Sequence, residues 1–184
     1  MILGIECTAH TFGVGIVNKG KILANVKDMY TPKTGGIIPM ESAKHHRAVS
    51  DNLYAEVLSK AGIDEKDIVA IALSNAPGLS PCLLAGMHFA KEKAKKLGVP
   101  IIPVNHCIAH LEIGRSVGAH DPVLLYASGA NTQIIAYASG KYRIFGETLD
   151  IGVGNFIDKV ARYFGMPFPG GPKMEIAARG GKYI

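Results

Sequence analysis

No stretch of this chain approaches the roughly 18 consecutive apolar residues that cross a bilayer as a helix. The opening segment MILGIECTAH carries a glutamate and a histidine where a secretory leader needs a basic flank and a small-residue cleavage site, so it does not read as one. Cysteine is scarce: Cys7, Cys82 and Cys107 are odd in number, far apart and without a CxxC pair. That excludes a disulfide framework and points to a reducing, cytoplasmic setting. Charged residues make up only 19% against 48% apolar, a balance that buries a real core and is not that of a disordered chain. The formal net charge of +5 suits a nucleic-acid partner, but many enzymes without one share it.

The apolar pattern changes period in an ordered way. Residues 1–7, 11–18 and 21–28 alternate as three short strands, joined by turns at 8–10 and 18–20, and predict an antiparallel meander. A Pro/Gly-rich stretch from Thr31 to Pro39 follows. Ala43, Val49, Leu53, Val57 and Ala61 then recur at helical spacing, with Gly62 as the stop. A buried strand over 67–74 comes next. A helix over 80–97 follows, with Leu83, Met87, Ala90, Ala94 and Leu97 on one face. A strand over 100–104 and a helix from about His106 to Val117 complete this half. Three strands, then alternating helix and strand, are the order of the ribonuclease-H-like lobe of the actin, sugar-kinase and chaperone-ATPase superfamily, an α/β fold with helices covering a mixed sheet. Residues 123–128, 132–138 and 142–148 repeat the meander, with Ser139-Gly140 as a hairpin turn, and helices are expected at 155–165 and 172–180. We expect a complete lobe over 1–119 and the opening of a second, similar lobe over 120–184.

Four segments carry chemistry. His106-Cys107-Ile108-Ala109-His110 sets two imidazoles one helical turn apart, where one metal could bridge them; two ordinary helix histidines fit the same spacing, and Cys107 reads as core. Tyr126-Ala127-Ser128-Gly129-Ala130-Asn131-Thr132-Gln133 is a small-residue turn that would let backbone N–H groups approach a phosphate; most such turns are only turns. Gly146 to Asp158 (GETLDIGVGNFID) reads as a glycine-rich helix entry. Asp158 there is suited either to a ribose hydroxyl or to the positive end of its own helix. Pro167 to Glu175 (PFPGGPKME) could lay backbone against a flat base, or simply link two elements. Four lysines at 91, 93, 95 and 96 could touch nucleic-acid phosphates or, more ordinarily, form a solvated helix face.

Taken in order and spacing, HCIAH, SGANTQ, GETLDIGVGNFID and FPGGPKME, with GIECTAHT and PKTGGIIP before them, resemble the TsaD family. Its archaeal and eukaryotic counterpart is the catalytic subunit of the KEOPS complex. The resemblance runs along the whole chain and implies transfer of threonylcarbamoyl from its adenylate to the adenosine following the tRNA anticodon. It further implies that His106, His110 and Tyr126 hold a transition metal, iron or zinc. Tyr126, Ala127, Ser128, Gly129 and Ala130 would track the phosphate and carbonyl end of the adenylate or a similar nucleotide, Asp158 the ribose, and Gly171 and Glu175 the nucleoside. Implied partners are tRNA, a small dimerising KEOPS subunit on the N-terminal helices and an atypical kinase subunit, with no membrane.

Departures accompany the matches. Cys7, Ser80 and Ala130 stand where the family usually has glycine, and Asn75-Ala76 where it has Gln-Gly. The helix after Pro81 reads Cys82-Leu83-Leu84-Ala85-Gly86 where the family carries an arginine and small residues. At Ala130 a β-carbon would cost about 1 kcal/mol if φ were positive. The family's last carboxylate ligand and an adenine-side asparagine would lie beyond Ile184, so the expectation is a site incomplete in this chain and no turnover by it alone. The alternative is a non-catalytic nucleotide-binding or scaffold subunit that docks KEOPS partners. A sugar or acetate kinase fits less well, because Glu6-Cys7-Thr8 only partly matches the acidic first turn that holds magnesium. A protease is excluded by the lack of a glutamate inside HxxxH.

Overall fold

The computed structural model describes residues 1–32 and 36–182. Lys33, Thr34 and Gly35, inside the expected Pro/Gly-rich stretch and its PKTGGIIP motif, lie outside the described residues, as do Tyr183 and Ile184. The chain divides into two compact units. Met1–Thr31 with Ile37–Ala109 form the first, and Pro32–Gly36 with His110–Ile184 the second.

The first unit is built on a five-stranded sheet in the order β3-β2-β1-β4-β5. β1 (Ile2–Glu6), β2 (Thr11–Asn18) and β3 (Lys21–Met29) form the expected antiparallel meander. Lys19 and Gly20 both have positive φ, the backbone a two-residue hairpin requires. β4 (Ala70–Ala76) joins β1 in parallel and β5 (Ile101–Asn105) joins β4 in parallel. Their carboxyl ends therefore lie side by side at one edge, where open α/β sheets bind ligands. α1 (Pro39–Ala61) and α2 (Ser80–Leu97) supply the crossovers, and Gly62 and Gly98 close them in the left-handed conformation.

Strand alternation puts Leu3, Ile5, Phe12, Val14 and Ile16 into one core with Leu53 and Val57 of α1 and Phe89 and Ala90 of α2. Phe12 meets Phe89 edge-on at 5.6 Å. The expected face of α2 is rotated. Its buried residues are Cys82, Ala85, Gly86, Phe89, Ala90, Lys93 and Ala94, while Leu83 and Met87 are half-buried. Phe89, the largest apolar side chain on the helix, turns the buried stripe toward itself.

The strand expected at 67–74 begins only at Ala70. Glu65–Asp67 is a single 3-10 turn held by a reciprocal cap, in which the Asp64 side chain accepts from the Lys66 N–H and the Asp64 N–H donates to Asp67 Oδ2.

In the second unit β6 (Leu124–Ala127), β7 (Thr132–Ala138) and β8 (Lys141–Glu147) form a three-stranded antiparallel sheet. The Ser139-Gly140 turn has both φ values positive, as expected. α4 (Val153–Tyr163) and α5 (Gly170–Ala178) follow, each starting two residues earlier than the sequence pattern suggests. The unit division falls inside α3 (His106–Ile113), between Ala109 and His110. This helix is shorter than expected, and residues 114–117 continue as a 3-10 turn ended by Gly118 at φ 96°.

Candidate functional site

In the first unit the polar groups collect at the carboxyl ends of β1, β4 and β5. Glu6 ends β1, and its Oε2 lies 3.0 Å from Nδ1 of His106, the first residue after β5. Thr8 donates twice to the other carboxylate oxygen, from its N–H at 2.7 Å and from its hydroxyl at 2.5 Å. Thr8 Oγ1 also lies 3.3 Å from His106 Nδ1. Burial alone would raise the Glu6 pKa, but hydrogen bonds from His106, Ser74 and Thr8 outweigh it and lower the value to about 2. Glu6 is therefore a fixed anion.

The Asn105 side chain accepts from the N–H groups of Cys107 and Ile108, capping α3 and fixing its first turn, where His106 sits. Cys107 is buried, as expected of a core residue. The Thr8 loop is clamped from outside, because the Leu79 N–H donates to the Thr8 carbonyl at 2.7 Å and a β-carbon at Gly78 would lie 2.5 Å from that oxygen.

Cys7, a departure from the family pattern, has a physical counterpart. A β-carbon at Gly86 would overlap the Cys7 sulfur, so the bare Gly86 makes room for the side chain at position 7. Burial, then the Glu6 charge, pushes the Cys7 thiol up to about 12, which makes it packing material and no nucleophile. The lysine helix face is partly occupied too. Lys93 is buried and donates to Asp51 at 2.7 Å, and Lys96 pairs with Glu65.

In the second unit the His110 and Tyr126 rings lie 5.4 Å apart. Tyr126 is on β6 opposite Gln133 of β7, whose buried amide donates to Glu147. The turn that follows is tied through Ser128. Its hydroxyl donates to the Asn131 carbonyl at 2.7 Å and accepts from the Asn131 N–H at 3.0 Å. Ala130 has no positive φ, since among the described residues Lys19 and Ser139 are the non-glycine residues that do; the expected penalty there does not arise.

The glycines of GETLDIGVGNFID do more than open a helix. A β-carbon at Gly152 would lie 2.6 Å from the Asn131 nitrogen and 2.7 Å from the Ala130 carbonyl carbon, and one at Gly154 would lie 3.0 Å from Gly129 Cα. The Gly154 N–H donates to the Ser128 carbonyl and the Val153 N–H to Thr132 Oγ1. The N-terminus of α4 is thereby held flush against the 128–131 turn. Helix dipole and turn amides meet there, a combination that favours an anion.

Asp158 accepts from the Gly170 N–H at 2.7 Å and so ties α4 to the start of α5. Gly170 packs against Ala161 with no room for a side chain, while Gly171 is less confined. Glu175 pairs with Arg179 at the surface.

Among the described residues no group of three or more His, Cys, Asp and Glu is arranged to hold a metal ion. The histidines are visible in the sequence as spacing, whereas Glu6 and Thr8 beside His106 are not, because a separation of 100 residues carries no local signal.

The sequence model of one family matches residues 21–184, and its description is TsaD: tRNA N6-adenosine threonylcarbamoyltransferase. A tRNA N6-adenosine threonylcarbamoyltransferase of Thermococcus gammatolerans is 52% identical over 99% of this chain and 56% of its own length. A probable bifunctional tRNA threonylcarbamoyladenosine biosynthesis protein of Thermoplasma volcanium is 51% identical over the whole chain and 35% of its own length. This chain thus spans between about a third and just over half of those relatives. Among solved structures, YeaZ from Pseudomonas aeruginosa superposes with a TM-score of 0.54 at 17% identity, covering 82% of this chain and 68% of that one. The ethanolamine utilization protein EutJ from Carboxydothermus hydrogenoformans gives 0.55 at 16%, covering 95% and 59%. At such identity these two bear on the fold alone, and with the strand order they establish the expected actin-like α/β class.

Proposed function

We propose a function from one premise: the chain belongs to the TsaD family, tRNA N6-adenosine threonylcarbamoyltransferase. On that premise it forms part of an enzyme that moves threonylcarbamoyl from its adenylate to the adenosine following the tRNA anticodon. The observation that carries this reading is the HCIAH segment on α3, with the first histidine held by a half-buried carboxylate. Metal-ligating histidines characteristically give their second ring nitrogen to such a group, so the surroundings of His106 suit a metal ligand, which in this proposal acts with His110 and Tyr126. When bound, the metal, iron or zinc, would polarise the carbamoyl or phosphoryl oxygen of the substrate.

The rest falls to the chain. Backbone groups of residues 126–130, backed by the α4 N-terminus, bind the phosphate. Ser128, whose hydroxyl is engaged within the turn, shapes it. Asp158 has one oxygen on the Gly170 N–H and offers the other to the ribose. Gly171 leaves backbone exposed to the nucleoside, with Glu175 one turn on. The adenylate is already activated, so the adenosine amine can attack the carbamoyl carbon and expel AMP with no covalent enzyme intermediate.

The lobe boundary near residue 119, the KEOPS partners (a small dimerising subunit on α1 and α2 and an atypical kinase subunit) and a cytoplasmic location belong to the same reading. Three free buried cysteines suit the reducing setting of that location; among the described residues no helix is long and apolar enough to cross a membrane. A non-catalytic scaffold is disfavoured by relatives named as transferases. The test is transfer of labelled threonylcarbamoyl to tRNA by the full-length protein. His106→Ala should lower the rate at least about 100-fold, the scale of losing one electrostatic stabiliser. An unchanged rate would refute the proposal.

A further inference from the structure

We propose that Glu6 is the positioning residue of the α3 histidine site: with Thr8, it holds neutral His106 as the Nδ1–H tautomer and so makes Nε2 the coordinating nitrogen. This deepens the metal reading above and rests on it.

Proton direction fixes the tautomer. Two oxygens face His106 Nδ1, Glu6 Oε2 at 3.0 Å and Thr8 Oγ1 at 3.3 Å. An ionised carboxylate can only accept. The Thr8 hydroxyl proton is already directed at Glu6 Oε1, 2.5 Å away, so its oxygen also faces the ring as an acceptor. A bare Nδ1 would confront two lone-pair donors at hydrogen-bond distance with no proton between them, an arrangement in which all three repel one another. Nδ1–H satisfies both.

The carboxylate is held against swinging away to relieve the conflict, because the Thr8 N–H and hydroxyl both donate to its other oxygen. Nor can the ring readily move, since Asn105 caps the turn that carries it and the His106 side chain is largely buried. The parallel pairing of β1 with β4 and of β4 with β5 brings these groups together from residues 6, 8 and 106. An exposed ion pair would show none of this redundancy. The same saturation argues against Glu6 as a direct magnesium ligand of the kinase kind.

The experiment is long-range proton–nitrogen NMR on histidine-labelled protein at about pH 8.5, above the ordinary histidine range, with His106→Ala identifying the resonance. Wild type should show a protonated Nδ1 and a bare Nε2 at His106. Glu6→Gln, whose amide can donate to Nδ1, should move the ring toward the Nε2–H form. In parallel, zinc affinity by chelator competition should fall about 10- to 100-fold in Glu6→Gln. An Nε2–H ring in wild type overturns the proposal without reference to any metal. Zinc binding lost in His106→Ala yet unchanged in Glu6→Gln overturns it while sparing the metal reading. Zinc bound equally by wild type and His106→Ala overturns the metal reading on which it rests, even with the tautomer as stated.

Discussion

The two units are held together by different means. The first has a filled core, in which Leu3, Phe12, Ile16, Val57 and Ile71 are wholly inaccessible. In the second, among the described residues, Leu111, Ile135 and Ala161 are the apolar side chains that are buried, while Phe145 and Phe156 are 63% and 54% exposed. What the second unit has instead is backbone apposition: Gly152 and Gly154 against the 128–131 turn, and Gly170 against Ala161. The difference teaches where each unit is vulnerable. Removing side-chain volume harms the first; adding a β-carbon harms the second.

The largest effect should come from volume. Phe12→Ala, at a fully buried site, should cost about 3–5 kcal/mol, whereas Phe156→Ala in the exposed set should cost under about 1 kcal/mol, both by denaturant unfolding. Similar costs would erase the contrast. Gly152→Ala, which sets a β-carbon against backbone that cannot rotate away, should cost about 1–3 kcal/mol. Its hydrogen-exchange effect should be confined to 128–131 and the start of α4.

Gly86→Ala sharpens the rule, since here the first unit also depends on a missing side chain. It should cost about 1–3 kcal/mol, and Cys7→Gly in the same chain should restore most of that; strict additivity of the two changes would deny the pairing.

His46 offers a pH test confined to the first unit. It is fully buried with Nε2 donating to the Ala9 carbonyl, and its pKa is pushed below 6.5, by burial first, with that hydrogen bond opposing. The unfolded chain therefore takes up this proton before the folded one does. The contribution is whole above pH 6.5 and is lost as pH falls below it, and His10 acts in the same direction. His46→Gln should flatten that fall.

The smallest effect concerns the lysines. With Lys93 and Lys96 already paired internally, replacing Lys91 and Lys95 by Gln should change the salt slope of tRNA binding by less than about 1 unit.

Periodicity made most of the fold legible, down to Gly62 and the two hairpin turns, because strands and helices advertise themselves within a few residues. It misled where local chemistry competes. Asp64 and Asp67 form a reciprocal cap that the apolar run after them masked, and Phe89 rotates α2 away from the face its leucines suggest. The histidines of the site were legible as spacing. Their support was not, because Glu6 reaches His106 only once β4 has been inserted between β1 and β5. The Cys7 departure likewise became intelligible only beside Gly86, 79 positions on in the sequence.

In the function proposed above, α3 carries a metal site. It is tested most directly by metal content after reconstitution with zinc or ferrous iron, for wild type, His106→Ala and His110→Ala at matched folding. Metal should be present in wild type, be released by acid because ligand imidazoles must be neutral, and be mostly lost in both variants. Equal metal in all three proteins would contradict it.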